Sequence, residues 1–230
     1  DGTVLSPYLN DSGLLHAACA SLNTLSRELT TAQLAIRTLE AYAGTCEVLV
    51  VDAETRHLTA GEASGIVGGY TTQAVELGIP FLYKKTDSAL RGNVGAELAA
   101  MLKASGESQL PFLPAFPQMA RNTVNGINYI QGVRVADSVF GRDPFEPVTR
   151  SDVCALIGQQ TGLPAVSCPP LTAGTPLPEA DGIWVFDASS VEDLRETGKR
   201  LKQEGKLHIL AGCAGFAAVL PELLNLGTGK

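Results

Sequence analysis

The sequence predicts an α/β fold with an open, mostly parallel β-sheet flanked by helices. The main observation is that short apolar segments of strand length alternate along the chain with longer segments of helical periodicity. The order strand, helix, strand, helix, strand from about residue 47 to residue 115 favours parallel pairing, because each helix returns the chain to the same end of the sheet. The composition agrees, since 45% hydrophobic and 18% charged residues are typical of a globular protein.

The predicted strands are short and mostly apolar, and each is bounded by polar or turn-forming residues. They lie at Glu47–Asp52 and at about 79–84, 110–115, 164–167, 181–187 and 207–212. Two helix starts carry the spacing of a capping box, Thr59-x-x-Glu62 and Ser189-x-x-Glu192. These helices are predicted to end near residues 77 and 204. Other helices are predicted at about 93–103, at 151–161 and from about residue 214 onwards.

The region 127–138 departs from this alternation. Ile127–Ile130 and Val133–Val135 flank the pair Gln131-Gly132. Two strands joined by two residues of this kind predict a β-hairpin insertion near 127–136. Residues 169–180 carry four prolines and are predicted to form a loop.

Composition excludes several classes of function. The net charge of −7 argues against nucleic-acid binding. No uninterrupted apolar stretch is long enough to cross a membrane, and the N-terminus shows no signal-peptide pattern. The five cysteines are odd in number and widely spaced, and the three histidines are scattered, so neither a disulfide framework nor a metal site is predicted. Buried free thiols in a reducing cytoplasm are expected instead.

The densest group of chemically active side chains lies at residues 84–97, between a predicted strand and a predicted helix. In open α/β sheets, binding sites form in the loops at strand ends. Lys85 and Arg91 could neutralise a carboxylate or phosphate, and Gly92 would let backbone N–H groups approach it. The alternative is structural: Asp87 or Asn93 caps the helix, and Arg91 pairs with Glu97 across a turn. The whole cluster at one junction favours a site for a small anionic ligand.

This stretch resembles the signature of the four-carbon acid sugar kinases, in their N-terminal, sugar-acid-binding domain. Further stretches resemble other motifs of that family and occur in the family's order, from about residue 46 to 216: Val51–His57, Pro114–Tyr129, Asp143–Pro147 and Ala211–Gly215. The resemblance implies that residues 1–230 are the sugar-acid-binding domain of a two-domain kinase. Such a kinase would phosphorylate a hydroxyl of a four-carbon sugar acid of the tetronate or 3-oxo-tetronate type.

Three positions depart from the residues usual in that family. Ala89 stands in place of Thr, Ala120 in place of Gly, and Asn128 in place of His. These departures remove a hydroxyl, a flexible hinge and an imidazole, and they leave the identity of the sugar acid open.

The resemblance also implies site residues. Lys85, Arg91 and Arg56 would bind the substrate carboxylate, and Asp52 and Asp87 would accept hydrogen bonds from hydroxyls. Asp87 is the first choice as catalytic base, the alternative being an acidic loop of the family upstream of this chain. Residues 121–123 follow a predicted strand and either reach the same sheet edge or form a polar turn. The predicted substrate-binding residues are Asp52, Glu54, Arg56, Lys85, Asp87, Ser88, Arg91, Gly92, Asn93, Arg121, Asn122 and Thr123, and no metal site is predicted.

Cofactor and partners follow from the same resemblance. ATP with Mg²⁺ is expected for the full-length enzyme, but no nucleotide-binding motif is evident here. The ending Gly227-Thr228-Gly229-Lys230 is not a P-loop, because residue 224 is Leu where that pattern needs Gly. The C-terminal ATP-binding domain is therefore expected to be absent from this chain, and the isolated chain is expected to be inactive. Expected partners are the sugar acid and that C-terminal domain, with a homodimer as an open alternative.

Two other functions are compatible with the residues. One is a non-catalytic module that binds a small carboxylate. The other is an unrelated α/β hydrolase or isomerase, although the sequence lacks the Gly-x-Ser-x-Gly elbow of serine hydrolases.

Overall fold

The structure is a computed structural model and describes residues 48–226. This part of the chain contains eight strands: β1 Leu82–Lys85, β2 Gln109–Leu113, β3 Arg121–Val124, β4 Ile127–Ile130, β5 Val133–Arg134, β6 Ala165–Cys168, β7 Gly182–Phe186 and β8 Ile209–Gly212. Its α-helices are α1 Ala60–Glu76, α2 Val94–Ser105, α3 Val153–Gln160, α4 Val191–Gln203, α5 Ala214–Ala217 and α6 Leu220–Leu224.

Five strands form one sheet in the order β1-β8-β2-β7-β6, and every neighbouring pair is parallel. This confirms the predicted open, parallel sheet flanked by helices. The remaining strands form a separate antiparallel sheet in the order β3-β4-β5. The β4–β5 hairpin turns at Gln131 and Gly132, which both have positive φ, and so confirms the predicted hairpin.

The parallel sheet is covered on both faces, as its apolar strands require. Strand β7 shows the division, because Ile183 and Val185 point to one face while Trp184 and Phe186 point to the other. On the first face they pack with apolar residues of α1, α2 and α3, and on the second with those of α4, α5 and α6. Two hydrophobic cores therefore hold the sheet between helix layers.

Three sequence predictions need correction. Residues 48–52 are not in a strand, although a strand was predicted at Glu47–Asp52; Glu47 itself lies outside the described residues. An apolar pattern cannot distinguish a paired strand from an extended segment without a hydrogen-bonded neighbour. Residues 121–123 form neither a loop nor a turn but most of strand β3, which pairs with β4. The start of α4 is one residue later than predicted, because Ser190 and Asp193 form the capping box.

The other helix signals are confirmed. Thr59 and Glu62 make the predicted capping box at the start of α1, which ends at Glu76. Some expectations fall outside the described residues, including those on Gly227–Lys230. Among residues 48–226, no helix is both long and apolar enough to cross a membrane.

Ala120 has a backbone conformation that suits glycine. Its φ is +51° and its ψ is +38°, in the left-handed region, and its carbonyl accepts a hydrogen bond from the Gln131 N–H at 2.7 Å. A Cβ costs about 1–2 kcal/mol in this region. The glycine usual in the resembled family would avoid that cost.

We therefore expect Ala120→Gly to stabilise the chain slightly. The relief of backbone strain is offset in part by the greater freedom of glycine in the unfolded state, about 0.4–1 kcal/mol, so the net gain should be on the order of 0.5–1 kcal/mol. Urea unfolding of both proteins measures it. A clear loss of stability would show that Ala120 is not held in the left-handed region.

Candidate functional site

A cavity of about 810 Å³ runs along β1 and reaches its carboxyl end, beside the segment that precedes α1. Seven of the predicted substrate-binding residues line it: Asp52, Glu54, Arg56, Lys85, Asp87, Arg91 and Asn93. The other walls are largely apolar and include Val67, Leu82 and Leu210. The site therefore lies where parallel sheets bind ligands, outside the carboxyl ends of their strands.

Arg91 lies between two carboxylates at the centre of this site. Its Nε donates to Asp87 Oδ2 at 2.9 Å, and its Nη2 donates to Asp87 Oδ1 at 3.0 Å. Its Nη1 donates to Asp143 Oδ2 at 3.2 Å. These hydrogen bonds, first of all those to Asp87, raise the pKa of Arg91. The alternative that Arg91 pairs with Glu97 is wrong, because Arg91 is held by Asp87 and Asp143 instead.

Asp87 has both of its oxygens in hydrogen bonds from Arg91, which also donates its backbone N–H to Oδ2 at 3.2 Å. Arg56 Nη2 lies 3.5 Å from Asp87 Oδ1. Burial by itself would raise the pKa of Asp87, but the hydrogen bonds and charge of Arg91 outweigh it and lower the pKa. Asp87 is therefore an ionised acceptor of hydrogen bonds and a weak base.

Gly92 lets the loop between β1 and α2 approach the segment around Arg56 closely. A Cβ at this position would lie 3.0 Å from Arg56 Cγ and 3.1 Å from the Arg56 carbonyl oxygen, and Gly92 has a φ of +81°. Asn93 does not cap α2 with its side chain. Its amide instead donates to the carbonyls of Thr55 at 3.0 Å and Leu58 at 2.8 Å. Both residues therefore hold the segment that carries Arg56.

Lys85 and its neighbour Lys84 have different environments. Lys84 Nζ lies 2.7 Å from Glu97 Oε2 in a mostly buried ion pair. The Lys85 ammonium has no hydrogen bond or ion pair with any of residues 48–226. Partial burial lowers the pKa of Lys85, which the nearby Asp87 opposes. Lys85 is thus a partly desolvated cation that faces the cavity.

A second group of predicted residues adjoins Arg91. Arg121 Nη1 donates to Ser88 Oγ. The guanidinium carbons of Arg121 and Arg91 lie 5.2 and 5.1 Å from the centre of the Phe140 ring. The segment around Arg121 therefore lies next to the loop that carries Asp87 and Arg91, although Arg121 does not line the cavity.

The remaining predicted residues lie deeper. Thr123 is fully buried, and its backbone forms an antiparallel bridge with Ala188. Asn122 is half-buried. Neither residue lines the cavity, so a direct contact of either with a ligand stays a prediction.

Sequence reasoning missed several polar residues of the cavity wall, of which Thr86 and Tyr70 are two examples. Thr86 is 3% exposed, and its hydroxyl has no hydrogen-bond partner within the described part of the chain. It belongs to the same motif as Lys85 and could have been included on that ground. Tyr70 enters the wall from α1, and no local signal in the sequence predicts this.

Comparison with known proteins identifies the family. The family described as "Sugar-binding N-terminal domain" matches residues 12–220. The chain belongs to this family. The sequence is similar to a D-threonate kinase from Salmonella typhimurium, with 30% identity over 187 residues, 76% of this chain and 44% of that protein. It is also similar to a 3-oxo-tetronate kinase from Pseudomonas fluorescens, with 28% identity over 154 residues, 62% of this chain and 35% of that protein.

A solved structure from Bordetella bronchiseptica has the same fold, with a TM-score of 0.70 and 30% identity. It is described as a domain of unknown function with bound citrate and as a domain-swapped dimer. The match covers 80% of this chain and 46% of that one. This sugar-binding domain thus spans less than half the length of each of these relatives, and its resemblance to the four-carbon acid sugar kinases is confirmed.

We expect Arg91→Lys to lower the free energy of unfolding by about 1–3 kcal/mol, even without a ligand. A lysine cannot donate the two parallel hydrogen bonds to Asp87 and also reach Asp143. Urea unfolding measures the change. Arg195→Lys is the matched control, because Arg195 pairs with Glu192 and Glu222 at the surface and its replacement should leave stability nearly unchanged. Equal effects of the two substitutions would contradict a central role for Arg91.

Asp87 should also make stability depend on pH. Its pKa is lower in the folded state than the ordinary 3.8, so its contribution is complete well above 3.8 and is lost as the pH falls through the folded-state pKa. The stability difference between the wild type and Asp87→Asn should be constant above about pH 5 and shrink below pH 4. Urea unfolding at a series of pH values tests this. A difference that grows on acidification would have the wrong sign for a paired carboxylate.

Proposed function

We propose that this chain is the substrate-binding domain of an ATP-dependent kinase that phosphorylates a hydroxyl of a four-carbon sugar acid, of the tetronate or 3-oxo-tetronate type. The observation that carries the proposal is the partly buried ammonium group of Lys85 in the cavity wall. A partly buried ammonium with no ion-pair partner among residues 48–226 is only partly compensated by the nearby Asp87, and an anionic ligand would add a direct partner. A substrate carboxylate in the cavity beside Arg56 would supply that charge.

The neighbours of Lys85 suit the rest of such a ligand. Arg56 presents N–H donors to the same cavity, so it and Lys85 together can bind both oxygens of a carboxylate. Asp87 is ionised and can accept a hydrogen bond from a substrate hydroxyl. Arg91 is bound by Asp87 and Asp143, so we assign it to holding Asp87 in place rather than to the substrate carboxylate.

The catalytic base for phosphoryl transfer is part of the same proposal. Asp87 remains the candidate among the described residues, but its lowered pKa suits an orienting role better than proton removal. In our proposal, ATP with Mg²⁺ belongs to a C-terminal ATP-binding domain, and this chain binds and orients the acceptor. Among residues 48–226, no group of three or more His, Cys, Asp or Glu side chains could hold a metal ion.

The relatives support a kinase over a non-catalytic carboxylate-binding module. D-threonate and 3-oxo-tetronate are both four-carbon acids, and the relatives are named as kinases of them. Citrate in the Bordetella structure is also a carboxylate. We further propose a homodimer, in line with the dimer described for that protein, and a cytoplasmic location, in line with the free thiols of Cys154, Cys168 and Cys213.

Replacement of Lys85 by glutamine tests the proposal. Lys85→Gln should lower the affinity for D-threonate at least about tenfold, because a charge-assisted hydrogen bond is worth roughly 1.5–3 kcal/mol. The melting temperature without ligand should stay the same or rise, since the substitution removes a partly desolvated charge that has no ion-pair partner in the described part of the chain. Calorimetric titration and a melting curve give both values. Lys103→Gln, in the last turn of α2, is the control and should change neither. Unchanged affinity of Lys85→Gln would contradict the proposed site.

An activity assay tests whether a separate domain binds the nucleotide. The isolated chain should show no ATP-dependent phosphorylation of D-threonate, because no nucleotide-binding motif is evident in it. Addition of the C-terminal domain of a D-threonate kinase should produce turnover. Turnover by the isolated chain would show that the nucleotide is bound by this chain itself.

A further inference from the structure

A buried carboxylate connects the two halves of the candidate site. Glu97 lies in the first turns of α2 and is 6% exposed. Its Oε2 pairs with Lys84 Nζ at 2.7 Å, and its Oε1 accepts a hydrogen bond from the Thr55 hydroxyl. Both oxygens are thus already engaged by groups of the protein, although Glu97 borders the cavity.

The partners of Glu97 are sequence neighbours of two proposed ligand-binding residues. Thr55 directly precedes Arg56 and is itself buried. Lys84 directly precedes Lys85 on β1, and successive side chains of a strand point to opposite faces. Because Glu97 holds Lys84 on the side of β1 that faces α2, Lys85 points to the opposite side. Because Glu97 also holds Thr55, it restricts the position of the Arg56 backbone.

The segment around Thr55 needs such support because its backbone is strained. Glu54 has a φ of +48°, which is unfavourable for a residue with a side chain. Such a conformation persists only where the surrounding structure imposes it. Here the hydrogen bond from Thr55 to Glu97 and those from Asn93 to the carbonyls of Thr55 and Leu58 do so.

We propose that Glu97 is a positioning residue for substrate binding, which through Thr55 and Lys84 holds Arg56 and Lys85 at the spacing that binds one carboxylate group. The inference rests on the proposed function, since it concerns the same ligand. It assigns to Glu97 a role in affinity as well as in stability, although both of its oxygens are already engaged by Lys84 and Thr55.

A double-mutant cycle distinguishes positioning from stability alone. If Glu97 acts through Arg56, its replacement matters for binding only while Arg56 is present. We expect Glu97→Gln to weaken D-threonate binding about tenfold in the wild-type background and less than about twofold in the Arg56→Gln background. A purely structural role predicts the same factor in both backgrounds. Calorimetric titration of the four proteins, each with a melting curve, measures the coupling.

Two further variants keep the test decisive if Glu97→Gln does not fold. Thr55→Val removes only the hydroxyl that binds Glu97 and should weaken binding, whereas Thr55→Ser keeps the hydroxyl and should bind as the wild type does. Glu107→Gln is the matched control, because Glu107 pairs with His208 at 2.9 Å near the amino ends of β2 and β8, and its replacement should leave affinity unchanged.

The outcomes separate the two proposals. Wild-type affinity in both Glu97→Gln and Thr55→Val, or equal losses in the two Arg56 backgrounds, would overturn the positioning role and leave the proposed function intact. Absence of D-threonate binding by the wild type would overturn both. The inference is supported if Glu97→Gln weakens D-threonate binding mainly while Arg56 is present, and if Thr55→Ser binds as the wild type does whereas Thr55→Val binds more weakly.

Discussion

The contact of Arg91 with Asp87 and Asp143 is the constraint on which the rest of the site depends. It ties the loop between β1 and α2, which carries Asp87 and Arg91, to the loop before α3, which carries Asp143 and lies 52 residues from Arg91 along the chain. All three side chains are mostly buried, at 23%, 11% and 18% exposure. Removal of one partner from such a group leaves an uncompensated charge, which costs far more than the loss of a surface ion pair. The geometry of the loop that carries Lys85 and Asp87 is therefore fixed before any ligand arrives.

Most charged groups of the site take part in ion pairs. Arg91 pairs with Asp87 and Asp143, and Arg56 also approaches Asp87. Lys84 pairs with Glu97. Lys85 has no such partner within the described part of the chain, although it lies next to these pairs. A protein with a net charge of −7 can thus attract a small anion at one point, because a partly buried site responds to local charge more than to the total.

The sequence predicted the parts of the fold that depend on local chemistry. The alternation of apolar and helical segments predicts the parallel sheet, Thr59 and Glu62 predict the start of α1, and Gln131-Gly132 predicts the hairpin. Strand β3 was missed because its residues are polar and acquire strand geometry only by pairing with β4 and bridging to Ala188. Whether a segment forms a strand depends on the strands it pairs with, whereas helix formation depends more on the local sequence.

The same limit applies to the candidate site. Loop position, residue type and the family resemblance together predicted Arg56, Lys85, Asp87 and Arg91 as site residues, and all four line the cavity. They could not determine which charges neutralise one another, because Thr55 and Glu97 are 42 residues apart and Arg91 and Asp143 are 52 apart. The sequence left open a pairing of Arg91 with Glu97, whereas the fold pairs Arg91 with Asp87 and Asp143, and Glu97 with Lys84. The structure was therefore needed to show which cations are held by carboxylates of the chain.

The most direct test of the central claim, that a sugar acid binds at the carboxyl end of β1, is an NMR titration of the ¹⁵N-labelled chain with D-threonate. The account predicts that amide shifts concentrate in residues 52–58 and 84–93, with smaller changes near Phe140 and Asp143. Shifts concentrated around the other cavity, beneath the proline-rich loop 169–180, or spread evenly over the surface would contradict it.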